Sequence, residues 1–215
     1  MEIAFHGNSH FTLKGKNGSL ETNPNNSTLD TKSNVVTFSE MTEDTTIQNT
    51  SETKTIYRPG EYEVVSIMVK ALQARLDDPK TGEKNIIYSI TVDDVNLCHL
   101  GKLNRALTPA EINELGEINV LLIPVGGEGT LTSGDAAKTI SALSPKLVVP
   151  MSYADNDISK STAMKDEKEI TVVDVPSLKA FLGEMGVDKV SAQKTLSVTP
   201  NNQPLTTEVV ILDIN

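Results

Sequence analysis

An α/β sandwich, with sheets packed face to face and helices outside, is the fold class predicted by this sequence of 215 residues. Two observations carry the prediction. Short apolar runs separated by turn residues occupy the first hundred positions, and strand-like runs then alternate with helix-like segments opened by capping signals. A third observation concerns the core. With no Trp and only 4% aromatic residues, it has to be built mainly from Val, Ile, Leu and Ala. The length suits a single domain over residues 1–215, large enough to bury a substantial core.

The elements follow in order. "EIAFH" and "HFTLK" read as the first strands, and Asn17-Gly18 within "LKGKNGSLET" is the signal for a type I′ hairpin. About half of residues 16–55 are Asn, Ser or Thr, but apolar runs such as "VVTF" interrupt them, so the segment reads as strands joined by polar loops. Its Asn/Thr-rich part, residues 23–33, is either an ordered loop or an interaction surface. After the turn pair Pro59-Gly60, "EYEVVSIMVKALQ" reads as two strands, and "NIIYSITV" and "VNLCHL" flank a tight turn at Asp93-Asp94. The first hundred residues thus read as a β-meander.

The second half changes character. Thr108-Pro109-Ala110-Glu111 offers an N-cap hydroxyl, Pro at the first helical position and Glu at N3, opening a helix that runs to Gly116. "VLLIPVGG" and "KLVVPMSY" are buried strands. Between them Ser133–Leu143 is a helix, with Ala137, Ile140 and Leu143 facing the core. A third helix spans 175–185 up to Gly186, and "TLSVT" and "EVVILDI" close the chain as strands.

A net charge of −10, with basic residues scattered among acids, argues against nucleic acid, because phosphate neutralisation requires clustered Lys and Arg. No basic region followed by an apolar one opens the chain, and no apolar run is long enough to cross a bilayer. The expectation is a cytoplasmic protein without membrane partners. Its single cysteine, Cys98, lies in an apolar strand and reads as a small core residue. Without an export signal, sequons such as Asn25-Asn26-Ser27 and Asn49-Thr50-Ser51 carry no implication.

"IAFHGNSHFTLKG", "YRPGEYEV", "DDPKTGEKNIIYSI", "LCHLGKL", "INVLLIPVGGEGTLT" and "KLVVPMSY" follow one another as they do in metallo-β-lactamase-fold hydrolases. The chain most resembles the branch similar to ascorbate-6-phosphate lactonases, over nearly its whole length, with residues 154–172 matching least. The resemblance implies a four-layer αββα sandwich with a dinuclear metal site on edge loops between the sheets. That chemistry needs a dense ligand set, because a hydroxide bridges two Lewis-acidic metals. The family's loop after the first buried strand is H-x-H-x-D-H. In register with Phe38-Ser39, the histidine positions here hold Glu40, Thr42 and Thr45, and only Asp44 matches. Leu76 stands where another histidine is expected, Lys102 where the bridging aspartate is, and Ser152 where the last histidine is. Hydroxyls ligate zinc poorly, leucine does not ligate at all, and an ammonium repels a dication by several kcal/mol at short range, as an order of magnitude. Lys102 is expected to pair with Glu40 or Asp44 instead.

Other readings of these residues stand beside that one. Glu40, Glu43, Asp44, Asp77 and Asp78 could gather around a hard cation, or simply form a solvated acidic rim. His6, His10 and His99, the only histidines, read first as hydrogen-bonded structural residues. Ser152 ends a strand as a nucleophile would, but "PMSYA" is no nucleophile elbow. The glycine-rich "PVGGEGTLTSGD" precedes a helix and could cradle an anion, yet it follows neither nucleotide fingerprint. Asn8, Gly126 and Gly127 are candidates for lining the cleft.

The expected function is therefore that of a pseudoenzyme: a metallo-β-lactamase-fold scaffold with no catalytic residues, metal or cofactor, acting by binding or assembly. Its expected partner is a second copy of itself or an active paralogue. The alternative is a metal-dependent hydrolase or lactonase of a small, phosphorylated or unphosphorylated substrate, with an altered or single-metal site. A third reading is a ligand sensor that keeps the old cleft.

Overall fold

Thirteen strands and three helices account for the regular structure of the described residues of a computed structural model, namely 1–24, 32–40, 52–77, 84–126, 129–153, 175–188 and 190–214. The strands are β1 (Glu2–Phe5), β2 (Phe11–Lys14), β3 (Ser19–Thr22), β4 (Val35–Thr37), β5 (Lys54–Ile56), β6 (Gly60–Val64) and β7 (Ile67–Arg75). They continue as β8 (Lys84–Val92), β9 (Val95–His99), β10 (Val120–Pro124), β11 (Leu147–Met151), β12 (Thr195–Ser197) and β13 (Glu208–Val209). The helices are α1 (Pro109–Leu115), α2 (Ser133–Leu143) and α3 (Pro176–Glu184).

Two sheets result, a six-stranded one in the order β12-β1-β2-β3-β4-β5 and a seven-stranded one in the order β13-β11-β10-β9-β8-β7-β6. One continuous apolar core joins their facing sides, from Ile3, Phe11, Leu13 and Leu20 to Ile67, Ile87, Ile90 and Leu97. The Tyr88 hydroxyl of β8 crosses that core and donates toward the carbonyls of Phe38 and Ile56, at 2.6 and 3.1 Å. Burial raises its pKa far above the usual tyrosine range, so it remains a donor. α1 and α2 lie against the seven-stranded sheet, through the Glu114–Lys70 pair and β10 respectively, and α3 packs on α2. This is the α/β sandwich expected.

Local signals held where the chain's neighbours decide the outcome. Thr108 and Glu111 form the full capping box of α1, which ends at Gly116 with a positive φ of 70°. Asp93 and Asp94, at φ of 51° and 61°, make the two-residue turn between β8 and β9. Three readings are corrected. The β2–β3 hairpin pairs Lys14 with Ser19 across four residues, and neither Asn17 nor Gly18 has a positive φ, so it is not type I′. The first hundred residues are not one meander: β3, β4 and β5 run parallel, and the chain changes sheet between β5 and β6. In α2 the buried alanine is Ala136, with Ala137 only half-buried.

The turn between β6 and β7 was not read from the sequence. Val65 and Ser66 both have positive φ, 48° and 64°, without a glycine. A β-branched residue is strained there, and the long β7–β8 ladder that the turn feeds holds it in place.

Candidate functional site

Of the described positions singled out from the sequence, Asn8, Glu40, Lys102, Gly126 and Ser152 lie at one end of the strands, where the β1–β2 loop meets the segments after β4, β9, β10 and β11. Gly7 and Asn8 turn the chain between β1 and β2, at φ of 97° and 51°. The Asn8 carbonyl accepts the Ser152 N–H at 2.8 Å, beyond the end of β11. Ser152 itself has a φ of 56°, and its hydroxyl lies 3.5 Å from the same carbonyl. Gly126, just past β10, is required here: a Cβ on it would come within 1.5 Å of the Ser152 carbonyl oxygen. Asn8, Gly126 and Ser152 therefore meet.

Ser9 links these residues to β9. Its carbonyl accepts from His99 Nε2 at 3.0 Å, while His99 Nδ1 accepts the Gly101 N–H at 3.0 Å. Those two bonds define a neutral ring protonated on Nε2, and burial pushes the imidazole pKa down to about 4. Gly101, at φ 61°, passes so near Asn85 and Ser39 that a Cβ would lie 2.2 Å from the Asn85 amide oxygen. Asn85 is buried at the start of β8; its amide donates to the Leu100 carbonyl and accepts the Lys102 N–H. From the other sheet, Asn23 receives the Ser39 N–H at 2.7 Å and donates to the hydroxyls of Ser9 and Ser39. Asn23, Asn85, Ser9, Ser39 and Gly101 were missed as a site network. A polar Asn opening the apolar run "NIIYSITV" was the one available signal.

Above this network, the Lys102 ammonium pairs with the Glu40 carboxylate, one of the two partners expected for it. Leu76 is half-buried, and its neighbours are tied to the β9–α1 segment. Arg105 donates to the Arg75 carbonyl and makes a bidentate pair with Glu111 at 2.9 and 2.7 Å, and the Asp77 N–H donates to Asn104 at 2.7 Å. Thr42, Glu43, Asp44, Thr45, Asp78 and Gly127 lie outside the described residues, as do residues 25–31 of the Asn/Thr-rich segment.

The remaining candidates are engaged within the fold. His6 Nε2 meets the Thr12 hydroxyl at 2.8 Å, and its ring lies 4.5 Å from that of His10. His10 Nε2 is 3.5 Å from a carboxylate oxygen of buried Glu21, whose other oxygen accepts from Ser33 at 2.6 Å. The sequence had suggested no acid or histidine partner for His10; β2–β3 pairing supplies Glu21, and the β1–β2 turn supplies His6. The start of α2 is closed by Thr132 and carries Asp135 in its first turn, which disfavours an anion there. Cys98 is fully buried, and burial raises its thiol well above the reactive range.

The metals that the resemblance implies require a dense set of imidazole and carboxylate donors. Glu40 already pairs with an ammonium, Ser152 offers a hydroxyl and Leu76 nothing. Among the described residues, no three His, Cys, Asp or Glu side chains converge to hold a metal ion. Among them, too, no helix is long and apolar enough to cross a membrane.

Comparison with known proteins agrees on the architecture. A sequence profile described as "Beta-lactamase superfamily domain" matches residues 2–152. A UPF0173 metal-dependent hydrolase of Thermococcus onnurineus is 34% identical over 99 residues, covering 45% of this chain and 44% of the relative. The matched stretch thus spans less than half of that relative's length. A crystal structure from Thermotoga maritima, described as a candidate Zn-dependent hydrolase of the metallo-β-lactamase superfamily, superposes with a TM-score of 0.72 at 25% identity, over 98% of this chain and 97% of that one. A candidate metal-dependent hydrolase from Parabacteroides distasonis gives a TM-score of 0.63 at 18% identity, over 98% and 93%, and bears on the fold alone.

Proposed function

The chain belongs to the β-lactamase superfamily, and from that premise we propose that it is a non-catalytic member, a pseudoenzyme that keeps the metallo-β-lactamase scaffold without its dinuclear site. One observation supports the reading: the Lys102–Glu40 ion pair, with Lys102 at the position that the resemblance assigns to a metal-bridging carboxylate. A positive charge there opposes a dication and occupies the carboxylate nearest to it. Leu76 and Ser152 support the same reading, since neither replaces an imidazole. In this proposal the protein acts by binding or assembly, as a homo-oligomer or with an active paralogue, in the cytoplasm.

A second reading is favoured by the relatives, several of which are named metal-dependent hydrolases. It is a hydrolase or lactonase of a small substrate, related to the ascorbate-6-phosphate lactonases, with an altered or single-metal site. Such an enzyme requires a bound metal or a base within reach of water.

Metal content per chain separates the two. It is measured by elemental mass spectrometry on protein purified without chelators or a histidine tag. Less than about a tenth of an equivalent in folded protein is expected of the pseudoenzyme. A stoichiometric transition metal would overturn that reading and bring the hydrolase forward.

A further inference from the structure

A groove of about 530 Å³ lies on the outer face of the seven-stranded sheet, between β6–β9 and the end of α1. The strand register places its floor. Glu63 pairs with Met68, Met68 with Thr91 and Thr91 with Asn96, so these four side chains form one row across four strands. Glu61, Lys70 and Ser89 form the next row. Leu115, Gly116 and Glu117 make the wall. Thr91 and Asn96 lie at the opposite end of β8 and β9 from Asn85 and His99, so the groove is separate from the candidate site.

Its apolar surface is open: Met68 is 53% exposed, and nearby Val65 49%. Its rim is acidic, with Glu61, Glu63 and Glu117 lining it and Glu114 beside Lys70. Among the described residues Lys70 is the only cation in the lining; its ammonium lies against Glu114 at 2.5 Å and 3.9 Å from Glu61. The groove thus already seats one alkylammonium between two carboxylates, while Glu63 and Glu117 form no ion pair among the described residues.

We infer that this groove docks a lysine- or arginine-bearing segment of a partner protein, with an apolar side chain on Met68 and flanking cations at Glu63 and Glu117. Charge complementarity selects this occupant. The same face of a second copy would bring four glutamates against four in a chain of net charge −10, and nucleic acid is repelled for the same reason. The inference does not depend on whether the cleft binds metal.

The test uses the whole protein and a fluorescent peptide, Gly-Ser-Lys-Lys-Leu-Lys-Lys-Ser-Gly, followed by anisotropy at about 0.15 M salt, where long-range attraction is screened. The double variant Glu63→Gln/Glu117→Gln is expected to weaken saturable binding by about tenfold or more. The control Glu2→Gln/Glu208→Gln removes the same net charge from two exposed positions elsewhere and is expected to change it less than about twofold. Replacing the peptide's Leu by Ser is expected to weaken binding as well. Equal losses in both double variants would show general adsorption to an acidic protein and overturn the proposal. So would an absence of saturable binding, or self-association through this face that the groove variants abolish.

Discussion

The ammonium of Lys102 and the carboxylate of Glu40 join the segment after β9 to the segment after β4, so one ion pair connects segments of the two sheets. Its backbone is held independently, by the Lys102 N–H on Asn85 and the Ser39 carbonyl on the Ile86 N–H. The side chains are 52% and 30% exposed, so solvent screens their attraction. A double-mutant cycle with Lys102→Met and Glu40→Gln is expected to give a coupling below about 1 kcal/mol, shrinking with added salt. Urea unfolding measures it.

Metal removal is expected to leave this protein unmoved. Dialysis against a chelator should shift the thermal midpoint by less than about 1 °C, because a ligand adds stability only where it binds the native state. A drop of several degrees, restored by one divalent metal, would reveal a resident ion.

Gly126→Ala is expected to destabilise by on the order of 2 kcal/mol. The new Cβ would sit 1.5 Å from a backbone carbonyl oxygen, which cannot swing aside as a side chain can. Either the segment after β10 or Ser152 has to move. An unfolding free energy within experimental error of wild type would show that the two segments slide apart freely.

His99 predicts a pH dependence. Burial holds its pKa at about 4 when folded, against an ordinary value of 6.5. Between these values the unfolded chain binds the proton and the native state does not, so stability is full above about pH 6.5 and falls as pH drops toward 4. The loss attributable to His99 is roughly 3 kcal/mol over that window. Urea titrations at pH 7, 6 and 5 on wild type and His99→Gln test it. The variant is less stable throughout but should lack this part of the slope, and identical slopes would contradict the assignment.

Much of the fold was legible because its signals are local. The Thr108–Glu111 capping box involves residues three apart, and the Asp93-Asp94 turn involves adjacent ones, so a short window contains the whole physics of each. The Asn17-Gly18 reading failed for the opposite reason. Gly18 sits against Asn34, whose side chain receives the Ser19 N–H, so a contact from β4's approach shapes a loop that its own dipeptide would have turned otherwise.

The candidate site divides along the same line. Which residues fall where the resemblance puts ligands is a matter of order along the chain, so the expectation for Glu40, Leu76, Lys102 and Ser152 could be formed from the sequence. The same holds for the order of strands and helices and for the apolar composition of the core. Only the folded chain decided that β3, β4 and β5 run parallel, that Lys102 takes Glu40, and that His10 faces Glu21. It also brought Ser9 to His99, ninety residues apart, and left Met68 open on an acidic face. Periodicity and caps are short-range preferences of a few residues. Sheet pairing, ion pairs and grooves are long-range contacts that exist only once burial of the whole core has brought distant segments together.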